Sequence, residues 1–422
     1  MLRRSAIGLG MMLLLAGTLF FTSTSPRIWP YRNTLQYLLR KQFGTVQLPS
    51  DAARGSLQGV VRSTWGRPIA GATVLVSGPD GTAFVGETDA AGRYQIPNVP
   101  AGSYIPVAGA PGFADLTLRT WLGVQIASGR ATALDLTLQP RSPTPLVAAA
   151  DVRLSSPQTW SIQQPLPAQA VRRELSFTVN GRPNQTTLFY TPNDGQTTML
   201  PTLLAVYPGP ADQWESVSLP LAQAGYAVIA VGPAYALDLE ADVDDLQRVV
   251  ALAKAGKLPR ADGSRIGALA GSYSGLHVMR LAVREPDTLR AVLLLGPPTD
   301  MFELRRQFEA GTLFPPFGLD QALIALGLPH QEPERYWRYS SRYHARDMRM
   351  PVMLIHSKQD EVVPFTQSQL LADEFKRLGK PHELHILEGM GHYLLATERT
   401  PAIDDLFRTT VEFFDQQLAP AP

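Results

Sequence analysis

Cysteine is absent from all 422 residues, which removes disulfides, thiolate zinc sites, iron–sulfur clusters and a cysteine nucleophile at once. Any covalent catalyst must therefore be an oxygen or nitrogen nucleophile. Charge of a single sign is also missing: 38 Lys plus Arg against 37 Asp plus Glu leave a formal net charge of +1, so no field is available to hold a polyanion. Nucleic acid is not an expected partner. No metal-ligand cluster or phosphate-cradling glycine loop stands out, so neither metal nor cofactor is expected. What is present is apolar material: 45 % hydrophobic and 18 % charged residues exclude wholesale disorder, and the length implies two or three domains at roughly 150 residues each.

The first segment, residues 1–25, reads as an address. Arg3 and Arg4 precede an apolar run from Ala6 to Phe21, the pattern of an export signal. No Ala-x-Ala-like cleavage site follows, and sixteen apolar residues fall just short of the roughly 20 that cross a bilayer, so a cleaved signal and an uncleaved membrane anchor are both open. Either places the remainder outside the cytoplasm.

After a Pro-, Tyr- and Arg-bearing stretch to about residue 55, short β-rich runs begin. Leu57–Val61 and Ala72–Val76 flank the turn-forming Gly66-Arg67-Pro68, and Thr88 to Gly92 makes another turn before Arg93–Ile96. Strands recurring every 8 to 12 residues imply a small antiparallel sandwich ending near Leu138. Residues 56–139 resemble the carboxypeptidase regulatory-like domain, a transthyretin-like β-sandwich. Its expected role is a spacer, with contact to a glycan or a surface partner as the functional alternative. Residues 140–170 carry Pro140, Pro145, Pro157, Pro165 and Pro167 and are expected to be a linker.

From residue 171 to 418 apolar strand candidates alternate with helical stretches. The strands are 174–179, 186–190, 202–207, 227–231, 266–270, 291–295, 352–356 and 384–387, and helices are expected over 242–254, 275–284, 366–378 and 403–414. The later strands are continuous apolar runs of the kind buried on both faces of a parallel sheet. An eight-stranded, mostly parallel α/β sheet covered by helices is the consequence.

Chemistry collects at three strand ends. The fifth strand runs into Ala270-Gly271-Ser272-Tyr273-Ser274-Gly275 and then a helix, a strand-to-helix turn that would hold the Ser272 hydroxyl out of the sheet. Both flanking glycines of the usual Gly-x-Ser-x-Gly are replaced, by Ala270 and Ser274. The seventh strand leads to Asp360, four residues beyond its end, with Glu361 as the competing acid and Asp360 preferred from its place in the motif. The eighth runs into Glu388-Gly389-Met390-Gly391-His392. Of the seven histidines only His392 follows the last strand, and the chain order Ser272, Asp360, His392 resembles that of α/β-hydrolases. Ser272 is then the nucleophile, His392 its general base and Asp360 the group that fixes the imidazole. The amide of Tyr273 is one oxyanion donor. Within Tyr207-Pro208-Gly209-Pro210-Ala211 neither proline has an N–H, so the second donor is Gly209 or Ala211, with Gly209 preferred. The Tyr207 phenol is a third candidate, expected instead to pack.

Residues 171–418 resemble the catalytic domain of the prolyl oligopeptidase family. The likeness rests on Asp262 to Gly267 leading to Gly271-Ser272-Tyr273, on Met350 to Ser368 followed by Arg377 to Lys380, and on Gly389 to His392. It implies an acyl-enzyme mechanism on a short peptide or small ester. Peptidases resembling this one carry a long β-propeller, which roughly 85 residues of sandwich cannot build. Residues 301–350 are expected to insert a lid, with helices at 301–308 and 321–326 and with Tyr336, Trp337, Tyr339 and Tyr343 lining a pocket or packing the lid on its own domain. Three functions follow: an exported esterase, preferred; a prolyl oligopeptidase-like serine peptidase; and an envelope binding protein with a catalytically inactive scaffold.

Overall fold

Every residue of Ala227–Val231 is buried, as a run of Ala, Val and Ile must be when both faces of a strand are covered. Such runs form the centre of a ten-stranded mixed sheet in the computed structural model, which describes residues 17, 28–43, 53–142, 145–232, 238–314, 319–392 and 398–420. The expected signal or anchor at 1–25 lies outside the described residues, apart from Gly17. Among the described residues no helix is long and apolar enough to cross a membrane.

The chain divides into two compact units, the first built from the described residues up to Gly109 with Asp115–Gln139 and Phe302–Trp337, the second from Ala110–Ala114, Pro140–Met301 and the residues from Arg338 onward. The second holds the sheet. Its strands are β1 (Arg153–Leu154), β2 (Gln158–Ile162), β3 (Ala168–Ser176), β4 (Thr187–Pro192), β5 (Leu200–Val206), β6 (Ala227–Val231), β7 (Ala261–Gly271), β8 (Ala291–Leu295), β9 (Val352–Ser357) and β10 (His382–Leu387). Their order is β1-β3-β4-β6-β5-β7-β8-β9-β10, with β2 also paired to β3. From β6 to β10 all neighbours are parallel, while β1 to β4 form an antiparallel flank. Helices α1 (Glu215–Gln223), α2 (Leu239–Lys254), α3 (Ser274–Arg284), α4 (Thr366–Arg377) and α5 (Pro401–Gln417) accompany the parallel strands.

All eight expected strands are present, and the segment expected to be a linker corrects that expectation by supplying β1 and β2. Gln158–Ile162 pairs residue for residue with Ala168–Arg172, closing a hairpin over Gln163–Pro167. Its residues are nearly all exposed, so no apolar pattern announces it, and its prolines sit outside the paired positions. The core of the sheet closes under α5: Phe414 is buried against Gly267, where a Cβ would stand 2.8 Å from the Phe414 ring. A methyl group on β7 would drive the helix off the sheet.

The first unit contains the sandwich. Arg54–Ser63 pairs antiparallel with Arg93–Pro100 and parallel with Ala131–Ala133 and Leu136–Leu138, and the facing sheet runs Ala83–Glu87, Thr73–Ser77, Val107–Gly109, Leu116–Thr117. Leu57, Val61, Val74, Tyr94, Ile96 and Leu138 are buried within it. The turn expected at Thr88 to Gly92 is closed by Asp89, whose Oδ1 accepts from the amides of Ala91 and Arg93.

The expected single lid over 301–350 is corrected. Residues 302–337 build the first unit with the sandwich, because Trp337 packs on Gly109, 2.8 Å from where a Cβ would sit, and the backbone of Phe302 and Arg306 approaches Gly81 as closely as 2.6 Å from that position. Residues 338–350 stay with the sheet. The four aromatics are therefore divided between the two units: Tyr336 donates to the Gly327 carbonyl at 2.6 Å in the first unit, whereas the Tyr339 hydroxyl accepts from the Leu239 amide at 3.1 Å and Tyr343 donates to Asp300 at 3.0 Å in the second.

Phe414→Ala should lower stability by about 3–5 kcal/mol, because it opens a cavity at a position with no side chain opposite to fill it. A denaturant midpoint unchanged from wild type would refute this account of how α5 is held.

Candidate active site

Strand β7 ends at Gly271 and α3 begins at Ser274, so Ser272 and Tyr273 alone must reverse the chain. Ser272 adopts φ +52°, the left-handed region that non-glycine residues rarely enter. Its amide donates to the Leu295 carbonyl at 2.8 Å and its carbonyl accepts from the Gly275 amide at 2.9 Å. Gly275 is needed without a side chain, since a Cβ would press on Pro297 at 3.0 Å. At Ser274 the replacement of glycine has a use. Its buried hydroxyl lies 2.6 Å from the Val206 carbonyl and 2.7 Å from that of Gly271, and accepts from the Gly271 amide at 3.2 Å. The turn is thereby tied to the end of β5.

The structure brings Ser272, His392 and Asp360 together. His392 Nε2 stands 2.8 Å from Ser272 Oγ, and His392 Nδ1 stands 2.7 Å from Asp360 Oδ2. A carboxylate on Nδ1 places the ring proton there and leaves Nε2 able to accept the serine proton. Asp360 Oδ1 meanwhile accepts from the amides of Val362 at 2.9 Å and Val363 at 2.7 Å. Oδ2 has a second imidazole within reach, His356 Nε2 at 3.3 Å. His356 is fully buried. Its Nε2 also donates to the Val363 carbonyl at 2.9 Å, and its Nδ1 lies 2.7 Å from Ser368 Oγ. Burial opposes ionisation of Asp360 and is the largest single influence, yet the hydrogen bonds from His356, His392 and the Val363 amide, with the electrostatic attraction of His392, together outweigh it. The carboxyl is held well below the ordinary carboxylate range.

Glu361, the competing acid, acts on the backbone instead. Its Oε2 accepts from the His392 amide at 3.1 Å and fills the space beside Gly391. Ser357 donates to the Met390 carbonyl, and Gln359 accepts from the Gly389 amide at 3.1 Å. The histidine loop is thus pinned to the loop that carries the acid. Gly296, at φ +55°, completes the arrangement, for a Cβ there would lie 3.2 Å from Asp360 Oδ2. Reading along the chain misses Ser274, His356 and Gly296. The His356–Asp360 spacing of four, with an imidazole ending an otherwise apolar strand, is the signal that could find one of them.

Among the oxyanion candidates, Gly209 is half-buried and Ala211 fully buried. The Ala211 nitrogen lies 2.8 Å from the position of a Cβ on Gly232, whereas a Cβ on Gly209 would meet only ordinary contacts with Gln213 and Trp214. Tyr273 follows the nucleophile at the start of α3, its ring edge-on to buried His277, which pairs with Asp242 at 3.0 Å. Tyr207 packs, stacked on Trp214 at 5.3 Å and hydrogen-bonded to Ser218 at 2.8 Å, with burial pushing its phenol up so that it stays protonated. Among the described residues no group of three or more His, Asp and Glu could hold a metal ion.

Residues 236–421 match the prolyl oligopeptidase family and residues 56–139 match the carboxypeptidase regulatory-like domain. The chain carries one domain of each family. A Bacillus subtilis relative described as the uncharacterized peptidase YuxL is 22 % identical over 242 residues, which cover 53 % of this chain and 36 % of the relative. The chain thus matches little more than a third of that relative's length. Among solved structures, an acylaminoacyl peptidase of Pyrococcus horikoshii is 17 % identical with a TM-score of 0.46, covering 81 % of this chain and 54 % of its own. A thermophilic esterase of Thermogutta terrifontis is 18 % identical with a TM-score of 0.43, covering 58 % of this chain and 94 % of its own. All three parts of the prolyl oligopeptidase-like constellation, Ser272, Asp360 and His392, fall inside the matched segment.

Because the Asp360 carboxyl is held below its unfolded value of about 3.9, its ionised form contributes stability that is fully present above that pH and is lost as pH falls toward the lower folded value. Asp360→Asn should therefore make the loss of stability below about pH 4 shallower while reducing kcat about 10⁴-fold at neutral pH. An acid-denaturation curve of unchanged steepness would contradict the bonding described for this carboxylate.

Proposed function

We propose that this chain is a serine hydrolase that cleaves carboxylic esters through an acyl-enzyme, acting outside the cytoplasm. The observation that carries the reading is the unbroken Ser272–His392–Asp360 chain of 2.8 and 2.7 Å with its serine on a left-handed turn. Ser272 Oγ attacks the acyl carbon while His392 Nε2 takes its proton, and the imidazolium returns that proton to the departing alkoxide. Water then repeats the cycle, with His392 as base, and releases the acid. The amides of Tyr273 and Gly209 receive the oxyanion, and losing one such donor costs on the order of 100- to 1000-fold in rate.

The preference for esters rests on the oxyanion loop. Pro208 and Pro210 have no N–H, and the Tyr207 hydroxyl is committed to Ser218, so the loop offers backbone donation and no side-chain donor from Tyr207. An ester expels its alkoxide more readily than an amide expels nitrogen, so a modest donor set suits the ester. The second reading, a peptidase, is favoured by the family match over residues 236–421 and by the description of the Bacillus relative. Export is supported by Arg3-Arg4 ahead of the apolar run Ala6–Phe21.

A fluorophosphonate probe should label the wild type and leave Ser272→Ala unlabelled; no labelling of either protein would point to an inactive scaffold. With one acyl group offered as alkyl ester and as anilide, kcat/KM should be higher for the ester. An anilide rate equal to or above it would favour the peptidase.

A further inference from the structure

The helix Trp29–Phe43 buries two polar side chains and exposes an apolar stripe. The two buried polar side chains are Arg32, 6 % exposed, which donates to Glu332 Oε1 at 2.6 Å, and Asn33, which donates to the Ala325 carbonyl at 2.7 Å. Four of its apolar side chains face outward, Tyr31 73 % and Leu38 55 % exposed with Leu35 and Leu39 exposed beside them, while Tyr37 on the other side packs near Phe308. Positions 31, 35, 38 and 39 recur at the i, i+4, i+7, i+8 spacing of one helical stripe, and Ile28 continues it backwards. A helix that merely packs on its own domain turns this stripe inward.

Charge and continuity say what covers the stripe. The helix contains no acidic residue, its last turn carries Arg40 and Lys41, and Arg27 precedes it. Six residues separate Ile28 from the apolar run Ala6–Phe21. Glu332, which holds Arg32, also accepts from Arg119 at 3.4 Å, and two residues further on stand Trp121, 98 % exposed, and exposed Leu122. One carboxylate thus joins the outward leucines to the sandwich segment with the most exposed indole.

We propose that Trp29–Phe43 lies in the plane of an anionic bilayer surface, its Tyr31, Leu35, Leu38 and Leu39 stripe in the interface and Trp121 at headgroup level. An amphipathic helix rich in basic residues with leucines on one face binds that way, and Trp is enriched at the boundary. The arrangement works whether the upstream run is retained or removed, because the helix is a second membrane signal of its own. It stands independently of the chemistry at Ser272.

A chain free of cysteine makes the test direct. In the full-length protein, Leu38→Cys carrying an environment-sensitive NBD dye should shift to the blue when phosphatidylcholine–phosphatidylglycerol vesicles are added and be quenched by doxyl-labelled lipid. The same dye at Gln416→Cys, exposed on α5, should do neither. Adding Leu35→Glu and Leu39→Glu to the Leu38→Cys protein should abolish the shift without changing Tm. Two results would overturn the proposal: dye at residue 38 that stays unshifted while the protein floats with vesicles, which leaves the upstream run as sole anchor, or a shift that grows with protein concentration without vesicles, which makes a second copy the occupant.

Discussion

Ser272 must hold a left-handed backbone, and the site exists only while it does. Such a conformation costs an L-residue roughly 1–2 kcal/mol, so the surroundings have to over-determine it. Two neighbouring strands share that work. Leu295, the last residue of β8, receives the Ser272 amide, and Val206, the last residue of β5, lies within hydrogen-bonding reach of the Ser274 hydroxyl. The departure from glycine at position 274 is therefore compatible with the turn: a buried hydroxyl that finds three partners replaces conformational freedom with a fixed bracket. If the turn relaxed, Oγ would leave the 2.8 Å approach to His392 and the imidazole would face no nucleophile.

The same logic of complete satisfaction governs the acid. A carboxylate this buried is stable only with its lone pairs occupied, and Asp360 has two amides on one oxygen and two imidazoles around the other. His356 is fixed in turn: the Val363 carbonyl can only accept, so Nε2 carries a proton and the ring is oriented before any substrate arrives. Glu361 next door does the mechanical part by holding the His392 amide. Two adjacent acids thus divide the work, one facing the imidazole and one facing the backbone of the loop that bears it.

How much of this is readable along the chain depends on whether an element is buried on both faces. Ala227–Val231 and Ala291–Leu295 coincide with their expected limits because continuous apolar runs can be little else. Gln158–Ile162 is invisible because an exposed edge strand is specified by pairing, not by hydrophobicity. The serine, acid and histidine are legible from chain order at strand ends. The bracket at Ser274, the second imidazole on Asp360 and the space at Gly296 are not. Each depends on two segments far apart in the chain meeting within a few ångströms, which no local pattern encodes. The helix Trp29–Phe43 escapes for another reason: its leucines are spaced correctly, but a pattern cannot say which way the stripe faces.

The insertion between β8 and β9 raises a mechanical question, since β9 leads into the loop that presents Asp360. The chain leaves the sheet unit after Met301 and returns at Arg338, a 36-residue excursion. Its two ends are clamped where they part. The Met301 amide donates to Ser340 Oγ at 2.9 Å, the Arg342 amide to the Thr299 carbonyl at 3.1 Å, and Asp300 binds both Arg342 and Tyr343 at 3.0 Å. Gln367 on α4 then caps the amides of Thr299 and Asp300 at 2.9 and 2.8 Å. Since loop-closure entropy grows only slowly with length, holding the base of the excursion makes its length nearly irrelevant to the sheet. The excursion is free to build the other unit with the sandwich, while β8 and β9 keep the spacing on which Gly296, Asp360 and His392 depend.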